Sequence, residues 1–163
     1  DEIRYEGIAN NGVFLIIETL TDNKNRTASE IRTILNKNDG ILGETGSASF
    51  NFDKIGAVKY DSQNISKEKF FDFSIDKNAL DVIEEGPYII STCNPENFSK
   101  FRDDLELEFG EPKKSELIWK AKNPIKLEPD IEKKVLSFID LLEENDDIQR
   151  VFSNVNLNQD LEE

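Results

Sequence analysis

Seven consecutive residues, Thr21-Asp22-Asn23-Lys24-Asn25-Arg26-Thr27, carry no apolar side chain, yet they lie between the apolar run Val13–Leu20 and a helical pattern with Ile31, Ile34 and Leu35 on one face. A polar loop held between two buried elements is a natural place for a site. Arg26 offers a planar fork suited to phosphate or carboxylate, the hydroxyls of Thr21 and Thr27 and the amides of Asn23 and Asn25 add donors, and a following helix would turn its positive end toward an anion. Lys24 and Arg32 extend the cationic set. The same residue types also cap helices, and Arg26 could instead pair with Asp22 or Glu30. Both readings stand at this level.

A second basic island runs through 113–122, where Lys114, Lys120 and Lys122 share one face of a strand. They form either a rim for a nucleic-acid backbone or an edge protected by charge, and the edge is favoured. Gly40, Gly43 and Gly46 lead into a strand with no Lys-Ser or Lys-Thr after them, so turn chemistry explains them better than phosphate binding. The acidic run Glu143-Glu144-Asn145-Asp146-Asp147 lacks the spacing of a calcium loop and reads as a solvated turn. Cys93 has no histidine to activate it and reads as a buried small hydrophobe.

The chain contains no histidine and one cysteine, so the commonest general base and the commonest zinc ligand are both absent. No nucleophile–base pair, metal-ligand set or cofactor loop can be assembled. We therefore expect a protein that is not an enzyme and needs no metal or cofactor. The formal charge of −14 argues against a general polyanion binder. No apolar run is long enough to span a membrane, no membrane partner is expected, and a single cysteine fits a reducing, cytoplasmic setting.

These residues need elements to hold them. Residues 2–8 and 13–17 read as a hairpin about Asn10-Asn11-Gly12. A helix follows, with Thr27-Ala28-Ser29-Glu30 as its capping box, and residues 47–52 alternate as a strand. Residues 54–123 then give strand, helix (67–77, with Phe70, Phe71 and Ile75 inward), hairpin, helix (Phe98, Phe101 and Leu105 inward) and strand (115–122). That order, βαββαβ, is ferredoxin-like. Ile131, Val135, Phe138, Ile139 and Leu142 form one apolar stripe on a helix opened by Pro129, and 148–153 is a strand. A lone helix and strand must return to the opening ββαβ segment to bury that stripe. The expectation is an α+β chain of two ferredoxin-like two-layer α/β plaits, the second inserted into the first: 1–53 with 124–163, and 54–123. Residues 154–163 are expected to fray.

Thr-Asp-Asn-x-Asn-Arg-Thr, Glu30, Arg32, Gly40, Leu42-Gly43 and Gly46-Ser47, together with Tyr5-Glu6-Gly7 and the Leu141–Ile148 acidic end, resemble the signature of the YebC/PmpR family of transcriptional regulators. Ile8-Ala9-Asn10-Asn11-Gly12 and Asp39-Gly40 depart from that family's turns. The resemblance implies a DNA-binding regulator, or alternatively a ribosome-associated translational activator that meets RNA and ribosomal proteins. It also implies that a basic N-terminal helical domain precedes this segment and makes most of the nucleic-acid contact; the absence of methionine agrees with a start elsewhere. The implied compartment is the cytoplasm, or the mitochondrial matrix for a eukaryotic version. Thr21, Asp22, Asn23, Asn25, Arg26 and Thr27 are the residues carried over as the functional surface, with Arg26 foremost.

Overall fold

A computed structural model describes residues 1–156. By packing, the chain divides into two compact units, Asp1–Asp53 joined by the segment from Lys120 onward, and Lys54–Trp119 between them.

In the first unit, β1 (Glu2–Ala9) and β2 (Val13–Leu20) form a hairpin whose turn places Asn11 and Gly12 at positive φ, 66° and 74°. The Asn-Gly pair therefore does the work its backbone freedom predicts. Helix α1 (Lys24–Lys37) carries the chain across to β3 (Gly40–Gly43), and after the second unit α4 (Pro129–Glu143) leads into β8 (Ile148–Ser153). The sheet order is β3-β1-β2-β8, with antiparallel neighbours throughout. Val13, Leu15 and Ile17 of β2 meet Ile31 and Leu35 of α1 and Val135, Phe138 and Leu142 of α4 in one core. The α4 stripe is thus buried where a two-layer plait requires it.

The second unit contains β4 (Phe52–Asp61, which begins just before the unit), α2 (Lys67–Asp76), β5 (Asp81–Glu85), β6 (Tyr88–Cys93), α3 (Phe98–Phe109) and β7 (Lys114–Ala121), in the sheet order β5-β6-β4-β7. This is the ferredoxin-like arrangement, and the fold class of two antiparallel four-stranded plaits holds. Its core is aromatic: Tyr60, Phe70, Phe73 and Phe109 meet edge to face with centroids 5.3–6.1 Å apart.

Four local expectations are corrected. The third strand of the first unit is Gly40–Gly43, whereas Ser49–Asn51 is a turn of 3₁₀ helix and Phe52 already begins β4. The small residues that mimic strand alternation there wrap around the Glu6 carboxylate instead. Helix α1 starts four residues earlier than the capping box suggests, with Asn23 rather than Thr27 as its cap, and Thr27 lies inside it. The inward face of α2 is Phe70, Phe73 and Ser74, while Phe71 is 50% and Ile75 48% exposed. Finally, Asn154 and Val155 are buried: the Asn154 side chain accepts from the Phe14 amide at 2.8 Å and donates to the Gly12 carbonyl at 3.0 Å. The fraying expected for 154–163 fails at its start, and residues 157–163 lie outside the described residues.

Candidate functional site

The loop Thr21–Asn23 and the first turn of α1 sit at the end of β2, beside the turn that joins α4 to β8. Buried Thr21 and Thr27 point inward, whereas Asp22, Asn23, Lys24, Asn25 and Arg26 face solvent. The Asn23 side chain accepts from the Arg26 amide at 3.0 Å and caps the helix. The Thr21 hydroxyl accepts from the Asn23 amide at 3.0 Å and lies 2.7 Å from that of Thr27. A carboxylate can only accept, so Thr27 donates to Asp147 at 2.8 Å.

Asp147 is the centre of this arrangement. Its carboxylate also accepts from the Arg26 guanidinium at 3.0 Å, its own carbonyl accepts from the Leu20 amide at 2.9 Å, and its amide donates to the Asn145 side chain at 2.9 Å. The Thr27 hydroxyl first, and Arg26 after it, hold the Asp147 carboxyl below its ordinary range. Arg26 is in turn held charged by Asp147 and by Asp22, whose carboxylate lies 3.0 Å away. Its fork therefore spans two carboxylates and ties the loop to the α4–β8 turn. Asn145 donates to Glu30, so the acidic run is in part a set of ties to α1. Sequence reasoning weighed Asp22 and Glu30 as partners of Arg26 and missed Asp147, which is 121 residues distant. The only signal was that Asn145-Asp146-Asp147, an Asx-turn sequence, ends the acidic run at a strand.

A second missed carboxylate is Glu6, buried in β1. Burial by itself would raise its pKa, but the amides of Gly46, Ser49 and Ala48, at 2.9, 2.6 and 2.9 Å, together hold it below its usual range. Arg4 lies 3.5 Å away. This is a folding device for the 43–51 loop.

What remains available for a ligand is the outer face of α1. Lys24, Asn25, Ser29, Arg32, Thr33, Asn36 and Lys37 are exposed, and the helix's one carboxylate, Glu30, is engaged by Asn145. The other three helices expose several Asp and Glu residues each. Of the second basic island, Lys114 pairs with Glu116 at 3.6 Å, Lys120 is exposed near the end of β7, and Lys122 lies one residue beyond it. β7 is an edge strand, the position in which charge guards against edge-to-edge pairing. Exposed aromatics on a central strand would suit base stacking, but Phe52 of β4 is buried, and Phe50, though exposed, lies in the 3₁₀ turn and packs edge-on against Phe14 at 5.9 Å. Burial pushes the Cys93 thiol up to about 11, which suits a core residue rather than a nucleophile. Among the described residues no group of His, Cys, Asp and Glu could hold a metal ion, and no helix is long and apolar enough to cross a membrane.

Residues 1–155 match the family profile described as TACO1/YebC second and third domain. The crystal structure of a conserved hypothetical protein, Aq1575, from Aquifex aeolicus is similar with a TM-score of 0.86 and 30% identity, over 97% of this chain. The chain spans 65% of that protein's length.

Proposed function

The chain belongs to the TACO1/YebC family, and from that premise we propose that it is part of a regulator of gene expression that works by binding rather than turnover, with the outer face of α1 as its nucleic-acid contact. Membership in this family supports a regulatory role in transcription or translation. The observation that carries the proposal is the charge of α1. It is the one described helix whose exposed face bears cations and amides while its single carboxylate is tied down, in a chain of net charge −14. Of the candidate residues, Lys24, Asn25 and Arg32 belong to that face. Thr21 and Thr27 support it from beneath, and Arg26 with Asp22 fixes the loop.

Between the two regulatory readings, the surface favours translation. Affinity for duplex DNA rests on many neutralised phosphates, and α1 supplies few free cations. A ribosome offers RNA and basic proteins together, and the second unit presents acidic helices with exposed Phe71, Ile75 and Leu107 that suit a basic protein surface. The test compares co-sedimentation of the full-length protein with ribosomes against filter binding to duplex DNA at matched salt, using wild type and a Lys24→Glu/Arg32→Glu variant. We expect ribosome association that the double variant loses. Salt-resistant duplex binding without ribosome association would return the protein to DNA, and unchanged association of the variant would remove α1 from the interface.

A further inference from the structure

Three exposed cations of the first unit, Lys37, Lys133 and Lys134, lie at the end opposite the Thr21–Asn23 loop. The eight residues of β2 separate the two ends by roughly 26 Å at about 3.3 Å per residue. At the far end a cleft of about 500 Å³ opens between the β1–β2 turn, the last turn of α1 and the first half of α4. Lys37, Lys133 and Lys134 line it, with Asp39 the one carboxylate among its lining residues. All three lysines are exposed, and none takes part in an ion pair among the described residues. Its floor is apolar, made by the half-buried Ile131 with the edges of the core residues Val135 and Phe138. Its walls carry the amides of Asn10 and Asn11 and that of Asn38, whose nitrogen already donates to the Ile34 carbonyl at 2.8 Å.

We propose that this cleft binds one nucleotide of a single-stranded RNA, with phosphate on Lys37, Lys133 and Lys134 and the base against the apolar floor that Ile131 opens to solvent. The volume lies within the roughly 300–1,000 Å³ of small-molecule clefts. An apolar floor with amides at its walls is the chemistry that accepts a splayed base: one surface for its face, donors and acceptors for its edge. Lysines on two helices, brought together from positions 37 and 133–134, give the phosphate more than one point charge. Asp39 repels phosphate but accepts from a ribose hydroxyl, which an RNA strand has and a DNA strand lacks. The lysines differ from Arg26, whose fork is already taken by Asp22 and Asp147. Lys37 also ends the exposed face of α1, so a strand leaving the cleft continues along the face assigned above. The proposal rests on the reading of this chain as an RNA-contacting regulator and gives that reading its anchoring site.

The test uses the full-length protein and a fluorescein-labelled, unstructured RNA dodecamer of mixed sequence, read by anisotropy across a salt series. Lys133→Glu/Lys134→Glu replaces exposed side chains and leaves the core intact, and an unchanged melting temperature confirms folding. Binding should weaken about tenfold or more near physiological salt, and the slope of log K against log salt should flatten by about 1.4, roughly 0.7 for each lysine. A 4-thiouridine version of the oligonucleotide should cross-link within residues 9–11, 37–39 or 131–138. Unchanged affinity and slope in the folded variant, cross-links confined to other residues, or equal binding of the DNA dodecamer would overturn the proposal. Because Lys24→Glu/Arg32→Glu and ribosome sedimentation test the α1 face separately, the cleft can fail while that reading stands, and the reverse.

Discussion

The two units arrive at the same sheet layout by different threading and are held by different chemistry. In the second unit the chain runs through βαββαβ without interruption, and its core is a cluster of edge-to-face aromatics that includes Tyr60, Phe70, Phe73 and Phe109. In the first, β1 and β2 are the central strands, and the helix and strand that complete the plait, α4 and β8, come from more than a hundred residues later. Apolar burial joins α4 to the sheet but does not by itself fix where a distant segment must stop. Polar ties do so: Arg26 and Thr27 to Asp147, Asn145 to Glu30, and Asn154 to Phe14 and Gly12. A continuous plait tolerates a non-directional core, whereas a discontinuous one needs directional bonds to set its register.

The comparison can be broken most sharply at Phe70. Truncation to Ala should cost about 4 kcal/mol, within the roughly 3–5 expected for a fully buried phenylalanine, while Phe71→Ala should stay within about 0.5 kcal/mol as an exposed change does. Urea unfolding followed through Trp119, the chain's one tryptophan, checks both; equal costs would mean that the α2 face is misassigned. Next comes Glu6→Ala, which leaves three amides without their acceptor and should cost about 3 kcal/mol, since each buried unmet group costs roughly 1–3. Hydrogen exchange should show the loss at Gly46, Ala48 and Ser49 and not in the second unit.

Thr27→Val keeps the shape and removes the hydroxyl between Thr21 and Asp147, and about 1.5 kcal/mol should be lost. Carbon chemical shifts of the Asp147 carboxyl should then show its pKa moving up toward the ordinary value. Acidification gives the last and smallest contrast. Glu6 and Asp147 have folded pKa values below their unfolded ones, so their stabilisation is complete above the usual carboxylate range, near about 4, and is lost as pH falls through the lower folded values. The first unit should therefore lose protection before the second in a pH series read by hydrogen exchange, and Glu6→Gln should narrow the gap.

Several features were legible in residue order. The Asn10-Asn11-Gly12 hairpin, the α4 stripe and the βαββαβ order follow from local backbone preference and from spacing, which the chain carries in itself. So does the exclusion of histidine-based chemistry. The α2 face was ambiguous because Phe70, Phe71, Phe73 and Ile75 occupy almost every direction around one turn, and only the position of the sheet decides which of them is covered. The 47–52 segment has strand-like alternation, but a buried Glu6 competes for its amides and prevails.

The candidate site divides in the same way. Sequence determined that residues 21–27 are a polar segment at a helix start and that Arg26 would seek an anion, though the loop it predicted ends at Asn23. Tertiary structure decided that this anion is Asp147, because α4 and β8 return to the sheet at that end and place a carboxylate 3.0 Å from the guanidinium. It also placed Lys37 beside Lys133 and Lys134, a group no spacing rule could assemble. Periodicity and capping act over a few residues and are written in the chain, whereas a charge's availability depends on which distant charge the fold brings beside it.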